Sequence, residues 1–160
     1  MALLSSNHQK PKYHREKKSA LLPAIFRNWF ASHGWHPHPH QLKILEITQQ
    51  SSHALITAPT GGGKTLAGFL PTLIELANDP QDSLHTLYVS PLKSLTTDIH
   101  RNLDVPISEM ELPISVSIRT GDTKQSVRQY QRKKPPNILL TTPESLTLLL
   151  SYHDAKILFE

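Results

Sequence analysis

Ala58-Pro-Thr-Gly-Gly-Gly-Lys-Thr65 follows the run His53-Ala-Leu-Ile-Thr57, and the order of these residues decides the fold. The apolar run predicts a short buried strand over Ala54–Thr57. It enters a glycine turn, and Lys64-Thr65 then opens an amphipathic helix. Glycines let successive backbone N–H groups close around phosphate oxygens, and the helix N-terminus adds the positive end of its dipole. In such a loop, Thr60, Gly61, Gly62 and Gly63 form the cradle. Lys64 reaches the β- and γ-phosphates, and the Thr65 hydroxyl ligates Mg²⁺. The strict pattern has a glycine where this chain has Ala58, but Gly61, Gly63, Lys64 and Thr65 keep the chemistry in place. The competing account is a glycine-rich turn with an incidental Lys-Thr. The flanking strand and helix patterns favour nucleoside triphosphate binding.

Working outward, structure is expected to begin near Ser19. Pro23 fits the first turn of a helix with Ile25, Phe26, Trp29 and Phe30 on one face, ended by Gly34. A second helix follows Pro39, with Leu42, Leu45 and Ile47 apolar. Beyond the loop, strands are predicted at Thr86–Ser90, Ile114–Ile118 and Ile138–Thr141. Helices at about Gly63–Ala77, Pro91–Leu103 and Lys124–Arg132 separate them. The alternation predicts an α/β fold with a parallel sheet covered on both faces. Pro71 falls inside the third helix, where a proline costs about 3 kcal/mol. A kink and a misplaced boundary are both open.

At 160 residues the chain is long enough for one domain. No run approaches the ~18 consecutive apolar residues of a membrane span. The opening Met-Ala-Leu-Leu-Ser-Ser is too short for the core of a secretory signal, so a cytoplasmic protein is the expectation. The absence of cysteine excludes disulfides and thiolate metal sites. The net charge of +4 resides in residues 1–20, where Lys10, Lys12, Arg15, Lys17 and Lys18 outweigh Glu16. The remainder sums to zero. Residues 1–18 therefore read as a basic disordered tail, either a solvated leader or a loose contact for nucleic acid.

Three further constellations carry chemistry. Gly34-Trp-His-Pro-His-Pro-His-Gln41 precedes the loop. The flat amide of Gln41 suits the edge of an adenine ring, and Trp35 offers a stacking surface. Alone, the segment is a turn before a helix start. His33, His36, His38 and His40 lack a neighbouring carboxylate or thiolate, so a metal site is not expected there.

Ser90-Pro91 and Thr141-Thr142-Pro143-Glu144 follow two of the strands, each with a hydroxyl residue able to cap a helix begun by proline. Thr141 and Glu144 also have capping-box spacing. In a parallel sheet both helix starts lie at one edge, where they would grip phosphates without reading bases, with Lys93 adding charge. Arg119-Thr-Gly-Asp122 leads into Lys124, Arg128 and Arg132 at four-residue spacing, joined by Lys133 and Lys134. That row is either a solvated helix face or a sequence-independent nucleic-acid track.

Together, Pro-x-Pro-x-Gln, Ala-Pro-Thr-Gly-x-Gly-Lys-Thr, Val-Ser-Pro-Leu-Lys-Ser-Leu, Arg-Thr-Gly-Asp-Thr and Thr-Thr-Pro-Glu-Ser-Leu resemble the first RecA-like domain of a superfamily 2 helicase. The Ser-Pro-Leu-Lys, Thr-Gly-Asp-Thr and Thr-Thr-Pro-Glu forms are similar to the large helicase-related (Lhr) branch. Leu84–Lys93 and Pro135–Glu144 resemble bacterial ligase-associated DExH-box helicases. The resemblance covers residues 22–160. It divides the chain into N-terminal helices with a glutamine motif (19–50) and a RecA-like ATP-binding domain (51–160), incomplete at its C-terminus.

The resemblance implies ATP-driven 3′→5′ translocation on single-stranded DNA or partial duplex, with ATP and Mg²⁺ as cofactors. It also implies a repair setting in which a ligase or nuclease would be a partner. Gln41 would contact adenine, and Thr60–Thr65 would hold the phosphates and metal. Ser90, Pro91, Lys93, Ser94, Thr120, Gly121, Thr142 and Pro143 would lie along the DNA backbone, with Arg119, Asp122 and Glu144 completing that set. Gly62 stands where serine is commoner, so a looser loop is expected. Family members carry Asp-Glu-x-His on the next strand, and this sequence ends at Leu158-Phe-Glu160 before it. Hydrolysis by these residues alone is therefore expected to be negligible. Two other readings are a small P-loop kinase or GTPase-like domain, and a non-catalytic domain that binds nucleotide or nucleic acid weakly without turnover.

Overall fold

A computed structural model describes residues 21–50 and 53–152. Its elements, in chain order, are α1 (Ala24–Ser32), α2 (Pro39–Thr48), α3 (Lys64–Asn78), β1 (Thr86–Val89), α4 (Lys93–Glu109), β2 (Val116–Arg119), α5 (Gln125–Lys133), β3 (Ile138–Thr141) and α6 (Pro143–Leu150). β3 is buried at every position, and its Ile-Leu-Leu run is the pattern of a strand covered on both faces. The three strands are parallel in the order β1-β3-β2. Thr86 and Val116 stand opposite Ile138, and Val89 and Arg119 stand opposite Thr141. The C-terminal ends of the strands are therefore level, and three turns leave the sheet side by side.

Alternation along β3 divides the core. Ile138 and Leu140 pack into the large cluster built by Phe26 and Phe30 of α1, Ile44 of α2, Leu70 and Leu73 of α3, and Ile99 and Leu103 of α4. Leu139 points to the opposite face, against Leu149 of α6, with Leu84 and Leu87 beside it. Gln131 of α5 reaches Ser117 of β2, its Nε2 2.6 Å from Oγ.

α1 closes as expected at Gly34, whose φ of 66° is in the left-handed region. Gly34 N–H donates to Ala31 O and Trp35 N–H to Phe30 O, a Schellman closure. α1 is tied to the end of α4 by Trp29, whose indole N–H donates to Glu109 at 2.6 Å. Trp29→Phe keeps most of the apolar area and removes the donor. The expected loss is about 1 kcal/mol, or about 2–4 °C in Tm by thermal unfolding. An unchanged Tm would show that the Glu109 contact contributes nothing.

Four expectations need correction. Ala54–Thr57 is extended but not a strand, and Leu55 is 87 % exposed. An apolar run becomes a strand only with a ladder partner, and among the described residues none lies beside it. The segment is held instead by Ile56, which packs onto the main core. The strand expected from Ile114 begins at Val116, because Ser115 turns its N–H and hydroxyl to the Asn137 side chain, both at 2.9 Å. α4 starts at Lys93 and runs to Glu109, past the expected end at Leu103. Leu103, Pro106 and Ile107 continue its buried stripe, so packing outweighs the proline.

Capping is the fourth. Pro91 is outside α4, and Ser90 Oγ only accepts a long 3.4 Å bond from Leu92 N–H. α6 begins at Pro143 with Thr142 as N-cap, not Thr141. Thr141 donates its hydroxyl to Arg119 O at 2.6 Å, so no capping box with Glu144 forms. The boundary around Pro71 is settled too, since α3 runs unbroken from Lys64 to Asn78. Expectations for residues 1–18 and for the Leu158-Phe-Glu160 end lie outside the described residues.

Candidate nucleotide and nucleic-acid site

The glycine loop before α3 is built by backbone conformation. Gly61 and Gly63 have φ of 78° and 68°, left-handed values that L side chains resist, and Gly63 is the N-cap of α3. A Cβ at Gly62 would meet Pro59 O at 3.0 Å, and one at Gly63 would meet Gln41 Nε2 at 2.7 Å. The three glycines thus fit a loop that wraps closely around a ligand. Lys64 Nζ lies over the loop, donating to Ala58 O at 2.7 Å and Pro59 O at 2.8 Å. Thr65, the next residue of α3, is half-buried. The residues present therefore fit a nucleotide phosphate chain with Mg²⁺, Lys64 supplying charge and Thr65 a hydroxyl.

Gln41 joins the loop to the segment before it. It is 2 % exposed; its Oε1 accepts from His38 N–H at 2.8 Å, and its Nε2 donates to Gly63 O at 3.2 Å. Position N3 of α2, just after Pro39, fixes it there. One Nε2 proton and one Oε1 lone pair remain for another partner. A cavity of ≈ 360 Å³ separates the start of α3 from β1, lined by Lys64, Thr65, Phe69, Thr86, Tyr88 and Ile99.

The second half of the site is the edge where the strands end. Ser90 N–H donates to Thr141 O at 3.0 Å, which locks the β1 turn to the β3 turn. Lys93 Nζ meets Asp122 Oδ2 at 2.8 Å, joining the turns after β1 and β2. Pro91, Lys93, Ser94, Gly121, Asp122, Pro143 and Glu144 are exposed along this edge, whereas Ser90, Arg119, Thr120 and Thr142 are buried. Thr142 Oγ1 is 3.1 Å from Ser145 Oγ, and Thr120 N–H donates to Thr123 Oγ1 at 2.9 Å.

A DEAD/DEAH box helicase model matches residues 38–159. The chain belongs to the DEAD/DEAH box helicase family. It is 39 % identical over 156 residues to the Lhr helicase/uracil glycosylase of Escherichia coli, covering 83 % of this chain and 10 % of that protein. It is 38 % identical to the ATP-dependent helicase Lhr-Core of Methanocaldococcus jannaschii, covering 89 % of this chain and 19 % of that protein. The chain thus spans between a tenth and a fifth of the length of these relatives. The structure of Mycobacterium smegmatis helicase Lhr bound to ssDNA and AMP-PNP superposes with a TM-score of 0.77 at 39 % identity. That match covers 86 % of this chain and 19 % of the other. The fold is that of a RecA-like helicase domain, and no helix among the described residues is long and apolar enough to cross a membrane.

In this helicase domain the basic row on α5 has another use. Arg128 does not face outward with Lys124. Its Nε donates to Thr123 O at 2.8 Å, and its Nη2 to Thr120 O at 3.0 Å and Gly121 O at 2.8 Å. Arg132 lies over the Tyr152 ring, 4.6 Å from its centroid. The four-residue spacing therefore does not make a continuous phosphate track; Arg128 braces the Thr120–Thr123 turn instead. Sequence spacing alone carried no sign of that bond, because the carbonyls it meets are on a turn outside the helix.

Proposed function

We propose that this chain supplies the ATP-binding and single-stranded-DNA-binding part of an ATP-dependent helicase. The observation that carries this proposal is the Gln41 amide held between His38 and Gly63, which sets the adenine-side segment directly against the phosphate loop. The donor and acceptor left on that amide are the pair an adenine N6/N7 edge engages. Thr60–Gly63 would hold the phosphates through backbone N–H groups, Lys64 through charge, and Thr65 would ligate Mg²⁺.

The nucleic-acid strand would lie along the level strand ends. Lys93 and Ser94 offer polar side chains there, and Pro91 and Pro143 an exposed surface, with Gly121 beneath the Lys93 side chain. Ser90, Thr120 and Thr142, being buried, would shape the turns beneath the strand, the Ser90 and Thr120 N–H groups being bonded within the protein. Contacts of this kind follow phosphates and read no bases. The ssDNA held by the Mycobacterium smegmatis relative supports DNA as the strand. Translocation in the 3′→5′ direction and a repair setting with a ligase or nuclease partner rest on the family resemblance. The bounds 19–50 for the glutamine-motif helices and 51–160 for the RecA-like unit belong to the same proposal.

Gln41→Ala tests the adenine assignment. Competitive titration with ATP and GTP should show a preference for ATP in the parent chain. The substitution should reduce that preference about five- to tenfold, because one good bidentate base contact is worth about 1–3 kcal/mol and this amide is shared. Equal ATP and GTP affinity before and after would remove Gln41 from base recognition.

A further inference from the structure

The Lys93–Asp122 contact lies on the surface assigned above to the nucleic-acid strand. We propose that Asp122 is an exchange partner for Lys93, holding its ammonium in the free protein and yielding it to a backbone phosphate. On this account Asp122 weakens the grip on the strand and thereby sets its affinity. The proposal rests on the nucleic-acid part of the proposed function.

Three features support it. The pair is 2.8 Å apart and spans two different turns, yet the Lys93 side chain is 53 % and that of Asp122 78 % exposed. An ion pair so open to water contributes little net energy, so a polyanion can break it readily. The turn that carries Asp122, by contrast, is well held. Arg128 binds the carbonyls of Thr120, Gly121 and Thr123, and Thr123 Oγ1 takes the Thr120 N–H. The carboxylate is thus presented from a braced turn toward a lysine on a flexible stem. Gly121 completes the arrangement, because even a Cβ there would lie only 3.6 Å from Lys93 Nζ and 3.9 Å from Cε. The lysine therefore lies across the turn, at the junction of the β1 and β2 ends.

A carboxylate and a phosphate present similar anionic oxygens to an ammonium. To take Lys93, a phosphate must first displace Asp122, so the Lys93–Asp122 attraction is subtracted from the grip on the strand. A strand held this way binds less tightly than by the lysine alone, which suits a surface that must release successive phosphates.

The test is anisotropy titration of a labelled oligothymidylate with the 160-residue chain, using Asp122→Asn, Lys93→Ala and the double variant. Asp122→Asn should tighten binding about two- to fivefold at low salt, the size of the exposed ion pair that a phosphate must otherwise break. Asp122→Glu, which keeps the charge, should not tighten it. In the Lys93→Ala background the gain should fall below about twofold. Circular dichroism and Tm confirm that each variant is folded.

Weaker or unchanged binding by Asp122→Asn overturns the proposal. So does an equal gain with and without Lys93, which would mark general charge removal. If Lys93→Ala binds as the parent does, or the parent binds no oligothymidylate, the nucleic-acid reading of this edge fails first. That outcome is visible before any Asp122 variant is measured.

Discussion

Lys64→Ala is expected to lower ATP affinity by about tenfold to a hundredfold while leaving the fold intact. The ammonium is already positioned over the loop by the carbonyls of Ala58 and Pro59. Little side-chain entropy then remains to be lost when it turns to phosphate. Hydrogen bonds to charged groups contribute about 1.5–3 kcal/mol, and each 1.4 kcal/mol is a factor of ten. The substitution leaves the two carbonyls at a loop surface where water satisfies them, so Tm should change by no more than about 2 °C. Competition of ATP against a fluorescent analogue, with a parallel melt, reads both quantities. Lys64→Arg should not restore affinity, since a planar guanidinium replaces a compact ammonium in a loop shaped around the latter. Undiminished affinity in Lys64→Ala would remove the loop from nucleotide binding.

The parts of the fold that showed in the sequence were those governed by local rules. Gly34 ended α1 because only a residue tolerant of positive φ completes that closure. β3 was visible at its full extent, since a fully buried central strand needs an uninterrupted apolar run. The glycine turn into α3 was equally plain, because the left-handed backbone at Gly61 and Gly63 calls for glycine.

What did not show depended on partners distant along the chain. Ala54–Thr57 has the composition of a strand, but pairing is a property of two segments. Arg128 read as a solvent-facing cation by its spacing, whereas three carbonyl oxygens of the preceding turn decide its position. Ser90, Thr120 and Thr142 were placed along the strand path by motif. Their burial follows from the level register of β1, β2 and β3, which no single motif contains.

The coupling of Gln41 to Gly63 leads to the second large effect. Gly63→Ala forces an L side chain into φ 68°, ψ 26°, which costs about 1–2 kcal/mol. The new Cβ would also stand 2.7 Å from Gln41 Nε2 and 3.4 Å from His38 Cδ2. A side-chain amide normally yields, but Gln41 is buried and bonded at both ends. Moving it breaks one or two hydrogen bonds at about 1 kcal/mol each. The expected total is about 2–4 kcal/mol, a Tm loss on the order of 5–15 °C, accompanied by weakened ATP binding.

Gly61→Ala provides the internal comparison. Its φ of 78° imposes a similar conformational cost, but nothing lies within 4 Å of its Cβ position. The difference between the two variants therefore isolates the Gln41 contact. Adding Gln41→Ala to Gly63→Ala removes the obstructing amide, so the double variant should be less destabilised than the sum of the singles. If Gly63→Ala costs no more than Gly61→Ala and the double variant is additive, Gln41 moves aside freely. The phosphate loop and the adenine-side segment would then respond to nucleotide independently.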